Sequence, residues 1–341
     1  MADIQSQPLA EDVPDLSGFA VSIEDIEAAA GRIDGQAVKT PVLRHPLLDE
    51  RTGARVLIKP ENLQRSGSFK FRGAFNRLNL IPEADRPKGV VACSSGNHAQ
   101  GVAASAQLLG MPATIVMPED APQIKLERTR GYGATVVTYD RETESRDAIA
   151  KALCDESGAT FVHPYNDPGV IAGQGTVGLE LAAQAAALGL PLDDVLACTG
   201  GGGLASGIAV ALAHKTPQTR FHTAEPALFD DYKRSLESGT IQTNAAKSGS
   251  VCDALLTEAP GEVSFSILRE LAGEAVAVTD EEALAAVAFA FSELKLVVEP
   301  GGAVALAALL TGKLPLQGQT VGVVLTGGNI DPQMLMQALG R

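Results

Sequence analysis

Apolar and polar residues follow two periods along this chain. Short apolar runs recur at residues 56–59, 89–92, 113–117, 134–138, 160–163, 194–198, 221–224 and 320–325. Their length and their Val, Ile and Ala content predict buried β-strands. Helical spacing fills stretches between them, at 99–109, 123–130, 146–154, 174–188 and 204–214. Ser22 with Asp25, and Thr279 with Glu282, form capping-box patterns that open helices running to about Ile33 and Leu294. Strands alternating with helices predict an α/β protein whose parallel sheets are covered by helices. Residues 1–18 break the pattern: they are polar, acidic and contain prolines, which predicts a loose tail.

Ligands of such sheets sit beyond the carboxyl ends of the strands. Three strand ends carry polar or glycine-rich loops: Ser94-Ser95-Gly96-Asn97-His98, Gly200-Gly201-Gly202-Gly203 and Thr326-Gly327-Gly328-Asn329. The four glycines join a strand to a helix, where converging backbone N–H groups and the positive helix end suit a phosphate. A dinucleotide fingerprint also fits loosely, as Gly201-x-Gly203-x-x-x-Gly207 with Glu225 as the ribose-binding acid. Periodicity leaves both open. Ser94 to His98 offer hydroxyls, an amide, an imidazole and free N–H groups that suit an anionic oxygen, although this is also ordinary turn chemistry. Thr326 offers a hydroxyl to a ring nitrogen, or simply ends its strand.

Lys70 follows Ser66-Gly67-Ser68 and precedes an apolar-periodic run from Ala74. It is therefore expected in the first turn of a helix capped by Ser66 or Ser68. A helix N-terminus disfavours a cation, and Phe69 and Phe71 flank the lysine. Both effects favour the neutral amine, the form that attacks carbonyls.

A net charge of −14, from 27 basic and 41 acidic residues, argues against nucleic acid or an anionic membrane as partner. No uncharged apolar run reaches the roughly 18 residues needed to cross a bilayer. Cys93, Cys154, Cys198 and Cys252 form no C-x-x-C pair, so neither a zinc nor a redox motif is readable. Without a secretory apolar region at the start, reduced thiols and a cytoplasmic location are expected.

Six motifs carry a family resemblance. They are Ser66-Gly67-Ser68-Phe69-Lys70-Phe71-Arg72-Gly73-Ala74, residues 94–100, Ile171-Ala172-Gly173-Gln174-Gly175-Thr176, residues 199–204, Glu299-Pro300-Gly301-Gly302-Ala303 and residues 326–329. Their types and order resemble the fold-type II pyridoxal-phosphate (PLP) enzymes, within them the serine/threonine dehydratase and serine racemase branch. The resemblance implies an α/β, tryptophan synthase β-like fold with two parallel-sheet, three-layer domains. Residues 19–84 and 168–341 would form the large PLP domain and 85–167 the small one. Lys70 would hold PLP and act as base at Cα, and Phe69 would pack beside the ring. Gly200, Gly201, Gly202 and Gly203 would hold the phosphate. Asn97 would bond the ring's phenolic oxygen and Thr326 would face the pyridine nitrogen. A neutral hydroxyl there makes a weaker electron sink than a carboxylate partner would, which favours prompt loss of a β-hydroxyl. The NAD reading recedes with this resemblance. A role for Glu299 does not follow from it.

For substrate, the resemblance points to Ser94, Ser95, Asn97 and His98. Ser95 stands where serine racemases keep a second acid–base hydroxyl, and many threonine dehydratases have Ala. Arg146 resembles the racemase and hydroxyaspartate dehydratase branch, where it would take a second carboxylate. Glu225, Asp231 and the Phe229 carbonyl resemble that branch's divalent-metal loop, suited to Mg²⁺ or Ca²⁺. The expected activity is β-elimination from a hydroxy amino acid such as L-threonine or L-serine, giving a 2-oxo acid and ammonia. The alternatives are a metal-dependent serine or hydroxyaspartate racemase/dehydratase, and a PLP-binding protein without catalysis. A homodimer or homotetramer is expected. The chain ends soon after Asn329, so a C-terminal regulatory domain and feedback inhibition by isoleucine are not.

Overall fold

The computed structural model describes residues 16, 18–121, 123–140 and 142–340. The tail expected over residues 1–18 lies outside the described residues, apart from Leu16 and Gly18. In chain order the elements are α1 (Ile23–Ile33), α2 (Pro46–Thr52), β1 (Arg55–Pro60), α3 (Lys70–Asn79), β2 (Val90–Cys93), α4 (Asn97–Leu109), β3 (Ala113–Pro118), α5 (Gln123–Gly131), β4 (Thr135–Tyr139), α6 (Arg146–Ser157) and β5 (Thr160–Phe161). There follow α7 (Pro168–Ala187), β6 (Asp194–Cys198), α8 (Gly203–Lys215), β7 (Arg220–Pro226), α9 (Asp231–Ser238), α10 (Glu262–Leu271), β8 (Ala272–Val278), α11 (Asp280–Phe289), α12 (Pro300–Leu310), β9 (Thr320–Leu325) and α13 (Pro332–Leu339).

The strands form a five-stranded sheet, β1-β9-β6-β7-β8, and a four-stranded sheet, β4-β3-β2-β5. Every pairing between these strands is parallel, as the α/β reading expects. Each sheet is buried on both faces. Along β6, Leu196 and Cys198 enter the apolar cluster with α11 and α12, while Val195 and Ala197 enter the one with α7 and α8. In the smaller sheet, Val90 and Ala92 face α3 and α4, whereas Val91 and Cys93 face α6. Two helix layers around each sheet make the three-layer architecture.

Two expectations need correction, and one strand lies outside them. Neither Ser66 nor Ser68 caps α3, because Phe69 holds the N-cap position without a side-chain cap bond. Ser66 takes the left-handed conformation (φ 61°), and both serine hydroxyls are buried without a hydrogen-bond partner. The strand expected over 160–163 is shorter, because only Val90 and Val91 pair with it. The edge strand β8 has no counterpart among the expected runs, since Ala-Gly-Glu-Ala carries little β-propensity. Both capping boxes are present, at Ser22/Asp25 and Thr279/Glu282.

Helix α7 lies between α3 and α8 at backbone contact. A Cβ added to Gly173 would lie 2.5 Å from the Arg72 carbonyl oxygen, and one on Gly207 would lie 2.6 Å from that of Ile171. This packing brings the Lys70 helix and the glycine loop, far apart in sequence, to the same helix.

Candidate active site

Lys70 is the first residue of α3. Part of its side chain remains accessible, but the amine is enclosed and donates a 2.7 Å hydrogen bond to the Pro164 carbonyl. It lies 5.1 Å from the Phe69 ring centroid. Burial lowers its pKa from 10.5 to about 8, so the neutral amine is accessible near neutral pH.

Two residues on, Arg72 is fully buried and anchors the same helix. Its guanidinium donates to both Glu61 oxygens at 2.8 Å and to Glu180 at 2.7 and 2.9 Å. Lys59 donates to the same Glu180 at 2.6 Å and to the Thr40 carbonyl at 2.7 Å. Paired charges of this kind hold α3 against β1 and α7 in one geometry.

Backbone contacts fasten the segment before Lys70 to the Thr326 loop. Phe69 N–H donates to the Thr326 carbonyl at 3.1 Å, Gly328 N–H donates to Gly67 at 2.9 Å, and Ser68 bridges Gly327. Asn329 donates through its amide to the Ser66 carbonyl and to Asn97 Oδ1, both at 2.8 Å. Asn97 in turn donates to Glu299 Oε1 at 2.5 Å. Four of the sequence motifs therefore meet around Lys70. Burial first, and then the Asp253 charge, push the Glu299 carboxyl up to about 7. The Thr326 residue is buried, and its hydroxyl lies beside the Cys198 thiol.

The glycine loop runs from the end of β6 into α8. Gly202 has φ +90°, a conformation that side chains rarely adopt, and a Cβ there would lie 1.8 Å from the Tyr232 hydroxyl. On Gly201 a Cβ would lie 2.2 Å from the Tyr165 ring. Tyr165 follows Pro164, so the carbonyl that holds the Lys70 amine belongs to the segment that packs on the glycine loop. Neither Pro164 nor Tyr165 was readable as a site residue. The only signal was their place just past a strand's carboxyl end.

Ser94 accepts from the Gly96 N–H at 3.2 Å, and Ser95 is half-buried beside it. His98 is buried, with Nε2 at 3.0 Å from the Val162 carbonyl and Nδ1 unpartnered. Burial and the Lys70 charge hold its pKa down to about 3, so it is a neutral imidazole. Arg146 opens α6 with 57% of its side chain exposed and lies 3.6 Å from Asp147. Its charge is still felt at His163 and Tyr165.

Glu225 and Asp231 are both fully buried, and Phe229 is buried on the turn between them. Glu225 accepts the Tyr232 and Lys233 N–H groups at 2.9 and 2.8 Å. Burial and the neighbouring Asp231 raise its pKa well above the usual range. Asp231 Oδ1 accepts from Asn244 at 2.6 Å, while Oδ2 is buried without a partner. Burial raises Asp231 to about 6. No set of three or more His, Cys, Asp and Glu side chains able to hold a metal exists among the described residues, so a cation here would need a backbone carbonyl as well.

The arrangement fits PLP on three counts. An enclosed amine of lowered pKa suits the aldehyde. A glycine loop that a Cβ would obstruct suits the phosphate. The unpartnered hydroxyls of Ser66 and Ser68 leave polar capacity beside Lys70.

Comparison with known proteins points the same way. A family model described as "Pyridoxal-phosphate dependent enzyme" matches residues 33–327. The chain is 46% identical over 310 residues to the L-threo-3-hydroxyaspartate ammonia-lyase of Pseudomonas sp, covering 91% of this chain and 96% of that one. It is 40% identical over 308 residues to the serine racemase of Schizosaccharomyces pombe, covering 90% and 94%. The crystal structure of a T.th. threonine deaminase superposes with a TM-score of 0.85 at 46% identity, covering 91% of this chain and 99% of that one. This chain belongs to the pyridoxal-phosphate-dependent enzymes and has their fold-type II architecture.

Proposed function

We propose that the protein removes water from a hydroxy amino acid such as L-threonine or L-serine by β-elimination, yielding a 2-oxo acid and ammonia. The observation that carries this reading is Lys70: an enclosed amine with pKa lowered to about 8, fastened among the family's loops. When bound, PLP supplies the electron sink that acidifies the Cα proton of an amino acid. Lys70 anchors the cofactor and, as a neutral amine, takes that proton. Phe69 packs beside it. Asn97, itself held by Glu299 and Asn329, presents its amide to the cofactor, and Gly200 to Gly203 take the phosphate on backbone N–H groups. Thr326 offers the ring nitrogen a hydroxyl. Ser94, Ser95 and Asn97 receive the substrate carboxylate, and Arg146 takes a second one where the substrate has it. His98, expected among them, is a correction: its one N–H is spent on the Val162 carbonyl, so the neutral ring has no donor left for a carboxylate. The substrate loses its Cα proton and its β-hydroxyl as water. The released enamine hydrolyses to the 2-oxo acid and ammonia.

A second reading, racemisation alongside elimination, is favoured by the hydroxyl at Ser95 and by the likeness to a serine racemase. Racemisation needs a proton removed from Cα on one side and returned on the other, and Ser95 is the group we assign to the second side. We further propose a Mg²⁺ or Ca²⁺ ion on Glu225, Asp231 and the Phe229 carbonyl, supported by two buried carboxylates and the unpartnered Asp231 Oδ2. The two sheets are read as two domains, 19–84 with 168–341 and 85–167, because each sheet has apolar clusters of its own. Among the described residues no helix is long and apolar enough to cross a membrane. The cytoplasmic location expected from the sequence is kept as part of this proposal. A panel of L- and D-amino acids, assayed for 2-oxo acid and for the inverted enantiomer, tests the activity. Turnover of no hydroxy amino acid would contradict it.

A further inference from the structure

Gln174 lies on α7, at the point where that helix meets both α3 and α8. The residue is 0% exposed, yet neither its Oε1 nor its Nε2 has a hydrogen-bond partner. Native interiors seldom leave a buried amide unpaired at both ends, so such a group asks for an explanation. Its position supplies one. A Cβ added to Gly203, the first residue of α8, would lie 2.8 Å from Gln174 Oε1, and one added to Gly73 would lie 3.0 Å from Nε2. The amide thus spans from the Lys70 helix to the last glycine of the loop, at the N-terminus of a 13-residue helix. That end of a helix carries positive potential and unpaired N–H groups. A half-turn of the amide exchanges its two ends without breaking a hydrogen bond, which lets the NH₂ face Gly203.

We propose that Gln174 is a cofactor-binding residue whose side-chain NH₂ donates to the phosphate group held at the glycine loop. The inference rests on the reading that this loop binds the phosphate of PLP. It adds a side-chain donor from α7 to a cradle otherwise made of backbone N–H groups. It also explains why α7 approaches so closely that Gly173 and Gly207 have no room for a Cβ: the helix must come near enough for a glutamine to reach the loop.

The test separates contact with phosphate from support of the fold. Full-length protein freed of cofactor is titrated with PLP and with pyridoxal, which has the aldehyde and ring but no phosphate. Wild type, Gln174→Met and Gln174→Glu are compared by absorbance, with melting curves of the cofactor-free proteins alongside. Gln174→Met keeps the volume and removes the donor, and Gln174→Glu places a charge against the phosphate. Loss of a hydrogen bond to a charged group should raise the Kd for PLP roughly 10-fold in Gln174→Met, and more in Gln174→Glu. The Kd for pyridoxal should stay within about twofold of wild type in Gln174→Met. Equal weakening for PLP and pyridoxal, or a lowered melting temperature that accounts for both, would make Gln174 a packing residue and overturn the proposal. Unchanged PLP affinity in Gln174→Met would overturn it as well. Wild type that binds PLP no more tightly than pyridoxal would instead remove the reading beneath it, that the loop holds a phosphate. Gln174→Met keeps the test decisive if Gln174→Glu does not fold.

Discussion

The Asn97 side-chain amide donates to the carboxyl of Glu299, joining the loop after β2 to the start of α12. Among the described residues, Glu299 is a buried acid with no cation paired to it by an ion pair in the structure, and only 4% of it is exposed. Its folded pKa of about 7 stands above the ordinary 4.5. A carboxyl raised in this way binds its proton more tightly when folded. Stability is therefore fully retained below the unfolded pKa and declines as pH rises from about 4.5 to about 7.

Replacing Glu299 by Gln should remove this pH dependence. Thermal unfolding of the cofactor-free protein should show Glu299→Gln and wild type alike near pH 5. At pH 8 the variant should be more stable, by on the order of 3 kcal/mol. A gap between the two proteins that does not change with pH would mean that the carboxyl is ionised in the folded state at low pH as well.

Arg72 and its carboxylates predict a stability effect with a different signature. Arg72→Met leaves Glu61 and Glu180 without their guanidinium. Breaking a buried pair by removing one partner costs about 3–5 kcal/mol. Urea denaturation should show a loss of that size. A loss below about 1 kcal/mol, the range of exposed pairs, would place the network in contact with water.

The proposed cation gives a third expectation. Chelation should lower the melting temperature, and Mg²⁺ or Ca²⁺ should restore it. At 100 times its Kd an ion that binds only the folded state adds about 2.7 kcal/mol. Asp231→Ala should respond to neither chelator nor ion. Melting curves of wild type that coincide with and without chelator would reduce Glu225 and Asp231 to a buried acidic turn.

Much of the site was legible because each motif is local. Lys70 in its first turn, the four glycines at a strand–helix junction and the Asn97 loop all stand at ends of strands or starts of helices that periodicity locates. What escaped depends on distant partners. Pro164 meets Lys70 across 94 positions of sequence. The carboxylates around Arg72 come from a short 3-10 turn after β1 and from α7, and no spacing rule relates them. Ser66 has the residue type of a cap, but its positive φ turns the chain toward Asn329 instead. The edge strand β8 has Ala and Gly where strand propensity would ask for branched residues, and its pairing with β7 is what makes it a strand.

Ser95 separates the two catalytic readings. Elimination from an L-amino acid needs one group at the Cα proton, and racemisation needs two. Ser95→Ala should lose racemisation and D-substrate turnover by on the order of 10²-fold or more, the usual size of a general acid–base contribution. Elimination from the L-substrate should keep its kcat, with the lost carboxylate contact appearing only as a raised KM. Keto-acid formation and chiral chromatography on both proteins decide it. Equal loss of both activities, or no inverted enantiomer from wild type, would leave Ser95 without a second-side role.

Borohydride mapping of the cofactor's anchor tests the role of Lys70. Protein loaded with PLP is reduced with borohydride, digested, and mapped for the peptide that retains the cofactor; Lys70→Ala is treated in parallel. The label should fall on Lys70 in wild type. Lys70→Ala should carry no covalent label and no elimination activity, while its cofactor-free form remains folded. A label on another lysine, with activity retained in Lys70→Ala, would contradict the assignment of Lys70 as anchor and base.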